Sequence, residues 1–237
     1  MSSPSSPSSA FLAGRIFLPF ALGYYLSYLL RTVNAVISPD KPGIAPHLAE
    51  GALLVSLCAG VNTAQLEAGL PEGTPVVRVM PNTPAQVSEG MAAVSAGVHA
   101  AEVDLEKAVH IMEAVGQAVV VGGGNVSIAF QYQDAVTAIS GSGPAYLFFV
   151  VEAMIDAGVM LGLPRDIATQ LVVQTMYGSA KLLVDSDKHP NLLREMVTSP
   201  AGTTAAALRH LEERSVKAAF MAAMEAARNR SAELGGQ

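Results

Sequence analysis

Near the end of the chain, Ser199-Pro200-Ala201-Gly202-Thr203-Thr204 places a glycine and two adjacent hydroxyls directly before a helical pattern. The free amides at such a helix start point outward, and the helix dipole favours negative charge there. The segment is therefore a ready seat for a carboxylate. The same residues also read as an ordinary cap, with Thr203 or Thr204 satisfying the first-turn amides. A second segment, Ser140-Gly141-Ser142-Gly143-Pro144-Ala145-Tyr146, is either a glycine-rich helix start capped by its serines or a segment that touches a substrate. It is not the GxSxG elbow of hydrolases. A third, Gly122-Gly123-Gly124, follows a strand pattern, but Ser127 stands where the last glycine of a dinucleotide loop would be, so it reads as a turn. No P-loop or HExxH pattern occurs. The histidines at 47, 99, 110, 189 and 210 are scattered, and none pairs at metal-ligand spacing, so no metal site is expected.

Positioning such segments needs a scaffold, and the composition supplies one. Of the 237 residues 51% are hydrophobic and only 14% charged, with a net charge of −6, so a core can be buried. No basic stripe appears, which argues against nucleic acid as a partner. Cys58 is the single cysteine, which excludes an internal disulfide and suits a reducing compartment. It falls in a run that reads as a buried strand, where a structural thiol is the expectation.

Residues 2–9 are serine and proline only and cannot pack. Ile16–Leu30 is apolar, but fifteen helical residues reach only about 22 Å, short of a hydrocarbon core of about 30 Å. A membrane span is therefore not expected. From Lys41 onward, strand patterns at Ala52–Cys58, Pro75–Met80, Ala92–Val98 and Ala118–Val121 alternate with helical ones at Leu66–Leu70 and Val103–Val115. Beyond about Ala135 only helices are expected, punctuated by Pro144, Gly162, Pro164 and Pro190. The fold class is thus α/β followed by all-α. The expected parts are an atypical terminus at 1–40, an α/β domain at 41–135 and a helical domain at 136–237.

Several of these stretches resemble the pyrroline-5-carboxylate reductase family. They are Val79-Met80-Pro81-Asn82-Thr83-Pro84, the run from Asp134 to Tyr146, Gly162-Leu163-Pro164, His189-Pro190 and Ser199–Thr204. Lys41-Pro42 and Cys58-Ala59-Gly60-Val61 also fit. The resemblance implies a partial Rossmann-like dinucleotide domain and a helical dimerisation domain like the C-terminal part of 6-phosphogluconate dehydrogenase. It implies reduction of 1-pyrroline-5-carboxylate to L-proline, the last step of proline biosynthesis, with NADPH or NADH as cofactor. A homodimer or higher homo-oligomer is implied as well, and a cytoplasmic or mitochondrial location. Carried over by position, Gly202, Thr203, Thr204 and Asp187 would bind substrate, and Thr204 would be catalytic by hydrogen-bonding the ring nitrogen. Lys41, Pro42, Leu57, Cys58 and Ala59 would line the cofactor.

Three features depart from the family pattern. The strand, glycine-rich loop and helix that open the family's dinucleotide domain would precede Lys41, where the serine–proline tract and the apolar run stand instead. Phe130 and Gln131 occupy positions where the family carries acidic residues. Met196 stands where a polar residue is common. These departures set out the alternative: a non-catalytic form that only dimerises.

Overall fold

The computed structural model describes residues 48–58, 60–123 and 126–235. The serine–proline tract, Ile16–Leu30, Lys41, Pro42 and Ala59 lie outside them. The described residues divide into two compact units. The first runs up to Pro144 and takes in the chain from Ala226 onward; the second is Ala145–Glu225. The division therefore falls within the Ser140–Tyr146 segment, and the last helix begins in the second unit and ends in the first.

The first unit holds β1 (Leu54–Ser56), α1 (Thr63–Glu67), β2 (Val76–Met80), a 3₁₀ turn at Thr83–Val87, β3 (Gly90–Ala96), α2 (Glu102–Glu113), β4 (Gly116–Val120), α3 (Val126–Val136) and a π-turn at Thr137–Gly141. The strands form one sheet in the order β1-β2-β3-β4. β1 and β2 are parallel with α1 as crossover, and β3 and β4 are parallel with α2 as crossover. β2 and β3 are antiparallel, because the 3₁₀ turn returns the chain directly. This agrees with the expected α/β pattern, although α3 was not foreseen.

Strand alternation explains the two faces. On one, Val77 and Val79 of β2 meet Ala92, Val94 and Ala96 of β3, and α2 covers them with Leu105, Ala108 and Met112. Fully burying a side chain of this size stabilises by roughly 1.5–3 kcal/mol, so this cluster is the core. The other face is mixed, with Val76 and Ala93 buried beside polar residues. Ser56, Arg78 and Ser95 stand in register across three strands, and all are buried. Gln133 of α3 donates from Nε2 to Ser95 Oγ at 2.8 Å. Arg78 is only 3% exposed, and its Nε and Nη2 meet no acceptor. Burial lowers its guanidinium pKa from the ordinary value, with Asp134 and Cys58 opposing the shift.

Helix α2 shows how a start is fixed. Asp104 at its third position accepts from the Ala101 backbone N–H at 3.1 Å, half of a capping box. That hydrogen bond, aided by Lys107 at 3.1 Å, lowers the carboxyl pKa against the opposing pull of desolvation. A depressed pKa in the folded state contributes stability above the unfolded value, which is lost as pH falls through the folded value. Asp104→Ala is therefore expected to lower stability by about 1 kcal/mol at neutral pH. The gap should close below about pH 4. Urea midpoints measured at pH 7 and pH 3 check both parts.

The second unit contains most of α4 (Gly143–Met160), all of α5 (Arg165–Ser186), α6 (Pro190–Met196) and α7 (Thr203–Glu213), and the start of α8 (Val216–Gly235). Gly162, at φ +98°, ends the turn after α4. Gly158 lets α4 approach α5, since a Cβ there would lie 3.0 Å from Ala168 Cβ. Large apolar side chains nonetheless stand open on this unit, among them Phe148, Phe149 and Met160, the last 80% exposed. The continuous helical run Gln131–Met160 is long and apolar enough to cross a membrane by length and composition, with mean hydropathy 1.4. Membrane insertion is one way to cover such a surface; another subunit is a second.

Candidate active site

In the second unit, the chain around Ser199 tightens into a turn. Ala201 adopts a left-handed conformation at φ +58°, and Gly202 N donates to Ser199 O at 3.0 Å. Gly202 is the N-cap of α7, and no side chain caps that helix. The competing sequence reading, in which Thr203 or Thr204 is the cap, is thereby corrected: both lie inside the first turn. The reason is the turn itself, which puts glycine where the backbone changes from extended to helical. With no capping side chain, the first-turn amides are left as donors in the presence of the helix dipole. Thr204 is half-buried and Thr203 exposed. Gly202, Thr203 and Thr204 thus come together at the start of α7, with Gly202 as its cap.

Asp187 is the C-cap of α5, in a left-handed conformation at φ 50° that aspartate tolerates. It is exposed. Among the described residues no hydrogen bond joins it to the Gly202–Thr204 turn. His189 caps α6, its Nδ1 accepting from Asn191 N at 3.2 Å, which agrees with a helix-start role rather than a base.

In the first unit, Leu57 and Cys58 follow the carboxyl end of β1, beside the parallel strand β2. In open α/β sheets dinucleotides bind outside the carboxyl ends of strands. Cys58 is 8% exposed, and its N–H donates to Ser56 Oγ at 3.3 Å, so it reads as a structural thiol. Arg78, in register with Ser56, has its guanidinium buried and two donors unmatched. No cluster of three His, Cys, Asp or Glu side chains able to hold a metal occurs among the described residues.

Sequence reasoning passed over two features of this unit. One is Arg78, whose signal is a lone arginine in an apolar strand, Val76-Val77-Arg78-Val79-Met80. The other is Asn82. Its Oδ1 accepts from Met91 N at 2.9 Å, while its Nδ2 donates to Ser140 O and Ser140 Oγ, each at 3.3 Å.

A family described as "Pyrroline-5-carboxylate reductase dimerisation" matches residues 131–234. The pyrroline-5-carboxylate reductase of Methanosarcina acetivorans is 43% identical over 205 residues, covering 86% of this chain and 72% of the relative. The chain belongs to the pyrroline-5-carboxylate reductase family. The Synechocystis reductase is 38% identical over 230 residues, covering 88% of this chain and 83% of its own length. Among solved structures, a Plasmodium falciparum pyrroline carboxylate reductase with NADP bound superposes with a TM-score of 0.73 at 36% identity, covering 81% of this chain and 70% of that one. The reductase family thus shares both the partial Rossmann-like sheet and the helical unit seen here. The dimerisation match spans the helices that expose Phe148, Phe149 and Met160.

Proposed function

We propose that this chain is a pyrroline-5-carboxylate reductase, a cytoplasmic homodimer or larger homo-oligomer that reduces 1-pyrroline-5-carboxylate to L-proline with NADPH or NADH. The observation that carries this reading is the side-chain-free start of α7, where Gly202 caps and two hydroxyls follow. A cyclic imino acid offers a carboxylate and a ring nitrogen on adjacent atoms. The first-turn amides would hold the carboxylate, and Thr204 Oγ would accept from the N–H of the protonated imine. Protonation makes the C=N carbon electrophilic, so fixing that N–H favours transfer.

A bound dinucleotide would supply the hydride that turns the C=N carbon into CH2 and the ring into a secondary amine. The residues here orient and neutralise; holding the reacting partners face to face supplies most of the rate. Leu57 and Cys58, with Lys41, Pro42 and Ala59 outside the described residues, would line the dinucleotide. Asp187 would lie at the rim of the substrate side.

The test begins with titration calorimetry of the purified chain against NADPH and NADH. Micromolar binding of either supports the reading, and no binding up to millimolar favours an assembly-only form. Given binding, Thr204→Ala removes one hydrogen bond to a charged group, about 1.5–3 kcal/mol. That predicts kcat/KM for the imino acid roughly 10–100-fold lower. An unchanged kcat/KM would remove Thr204 from the mechanism.

A further inference from the structure

Asn82 sits two residues beyond the carboxyl end of β2, and its side chain is half-buried with both polar atoms engaged. Through Met91 N it fixes the start of β3; through Ser140 it fixes the π-turn, 58 residues further along the chain. The π-turn is also held by Ser142 N donating to Thr137 O at 2.8 Å and by Thr137 Oγ1 donating to Gln133 O at 2.8 Å. Single π-turns inside helices recur at functional sites because the extra residue re-aims neighbouring groups. Met80 packs on the same turn, since a Cβ on Gly141 would lie 2.6 Å from Met80 Cε.

The direction of the Asn82–Ser140 bond matters. An amide Nδ2 can only donate, so Ser140 Oγ is the acceptor and its own proton remains available. A serine needed only to cap or to fill space does not require a second side chain to occupy its lone pair. Resting on the reductase reading above, we infer that Asn82 is a positioning residue that holds the Ser140 hydroxyl as a donor to a ligand oxygen at the carboxyl end of β2. The acceptor is a carbonyl-type oxygen, carried by the nicotinamide carboxamide.

The experiment is a double-mutant cycle on the full chain: Asn82→Ala, Ser140→Ala and the pair, with urea midpoints measured alongside. Each single change is expected to lower kcat/KM about tenfold, the size of one neutral hydrogen bond. The pair should lose no more than the worse single variant. A KM rise for NADPH with the imino acid's KM unchanged supports this acceptor, and a rise confined to the imino acid overturns it. Asn82→Asp keeps the acceptor for Met91 N but cannot donate to Ser140, so it should reproduce the kinetic loss. Wild-type kinetics in Asn82→Asp, or losses that multiply in the pair, overturn the inference. If the wild-type chain shows no turnover, the reductase reading fails on its own account. The cycle is then read on hydrogen exchange at the Ser142 amide: equal acceleration in both single variants and the pair supports positioning, and unchanged protection in Asn82→Ala overturns it.

Discussion

Gly116→Ala is expected to unfold the sheet unit or leave it barely stable. Gly116 opens β4 at φ +150°, a conformation that side-chain-bearing residues rarely adopt. It pairs in register with Gly90 of β3, and Gly90 N donates to Val115 O at 2.9 Å. A Cβ at Gly116 would overlap the backbone N and O of Gly90 and lie 2.6 Å from its carbonyl carbon. Nothing flexible can yield, because every overlapped atom is main chain. Gly90 cannot retreat, since it is itself pressed against Ala85 and Val115; a Cβ on it would lie 2.8 Å from Ala85 Cβ and 2.8 Å from Val115 O. The change therefore separates β3 from β4 and disturbs Val94, Ala92 and Val115 in the core. The expected loss is about 4 kcal/mol or more, in the range reserved for core disruption and backbone strain together. Typical domains have only about 5–15 kcal/mol in total. Gly73→Ala is the control: its φ is +83°, but a Cβ there meets nothing within 4 Å. It should lose only about 1–2 kcal/mol for the left-handed backbone. Urea denaturation followed by circular dichroism compares the two, and a Gly116→Ala midpoint near that of Gly73→Ala would refute the close-approach account.

The strands and the later helices were legible because each carries a local signal: short apolar runs for β2 and β3, and Pro and Gly at helix ends from Pro144 to Pro190. Helix α3 was not legible. Its apolar residues Ile128 and Ala129 sit beside Gln131, Tyr132 and Gln133, and Gln133 is buried only because Ser95 offers a partner 38 residues away. Local composition carries no trace of that pairing. The helix start at Gly202–Thr204 was legible in residue type, since glycine and paired hydroxyls before a helix are a local signal. Which residue caps was not, because the cap depends on how Ser199 and Ala201 turn the chain. Asn82 was visible as part of a motif, yet its use of Ser140 needs the sheet end and the π-turn brought together by the fold. The Arg78 charge is the extreme case: a sequence shows the interruption in the valine run, and only the structure shows two donors left without acceptors.

Gly202→Ala is expected to weaken substrate handling about a hundredfold while leaving the fold intact. The glycine is not there for backbone freedom: φ is −79° and ψ 174°, which alanine adopts readily. It is there for space, because a Cβ would overlap Ser199 Oγ and lie 3.1 Å from Ser199 O. Ser199 O accepts from Gly202 N, so the added carbon pushes against the very group that closes the turn. The Ser199 hydroxyl can turn aside but Ser199 O cannot, so Gly202 must shift and carry the first amides of α7 off the carboxylate they would hold. An anion seat loses its value when its donors misalign by an ångström or so, and a misplacement of that size costs about a hundredfold in rate. The variant should therefore show kcat/KM for the imino acid down by roughly a hundredfold, with NADPH affinity unchanged. Its thermal midpoint should move little, since the turn is half-exposed and the helix keeps its other contacts. Ser199→Ala combined with Gly202→Ala removes the overlapping Oγ but keeps Ser199 O, so it should recover little of the activity. Full activity in the single variant would show that the α7 amides do not hold the carboxylate. Full activity in the double variant alone would show that Ser199 Oγ, not Ser199 O, is what the glycine avoids.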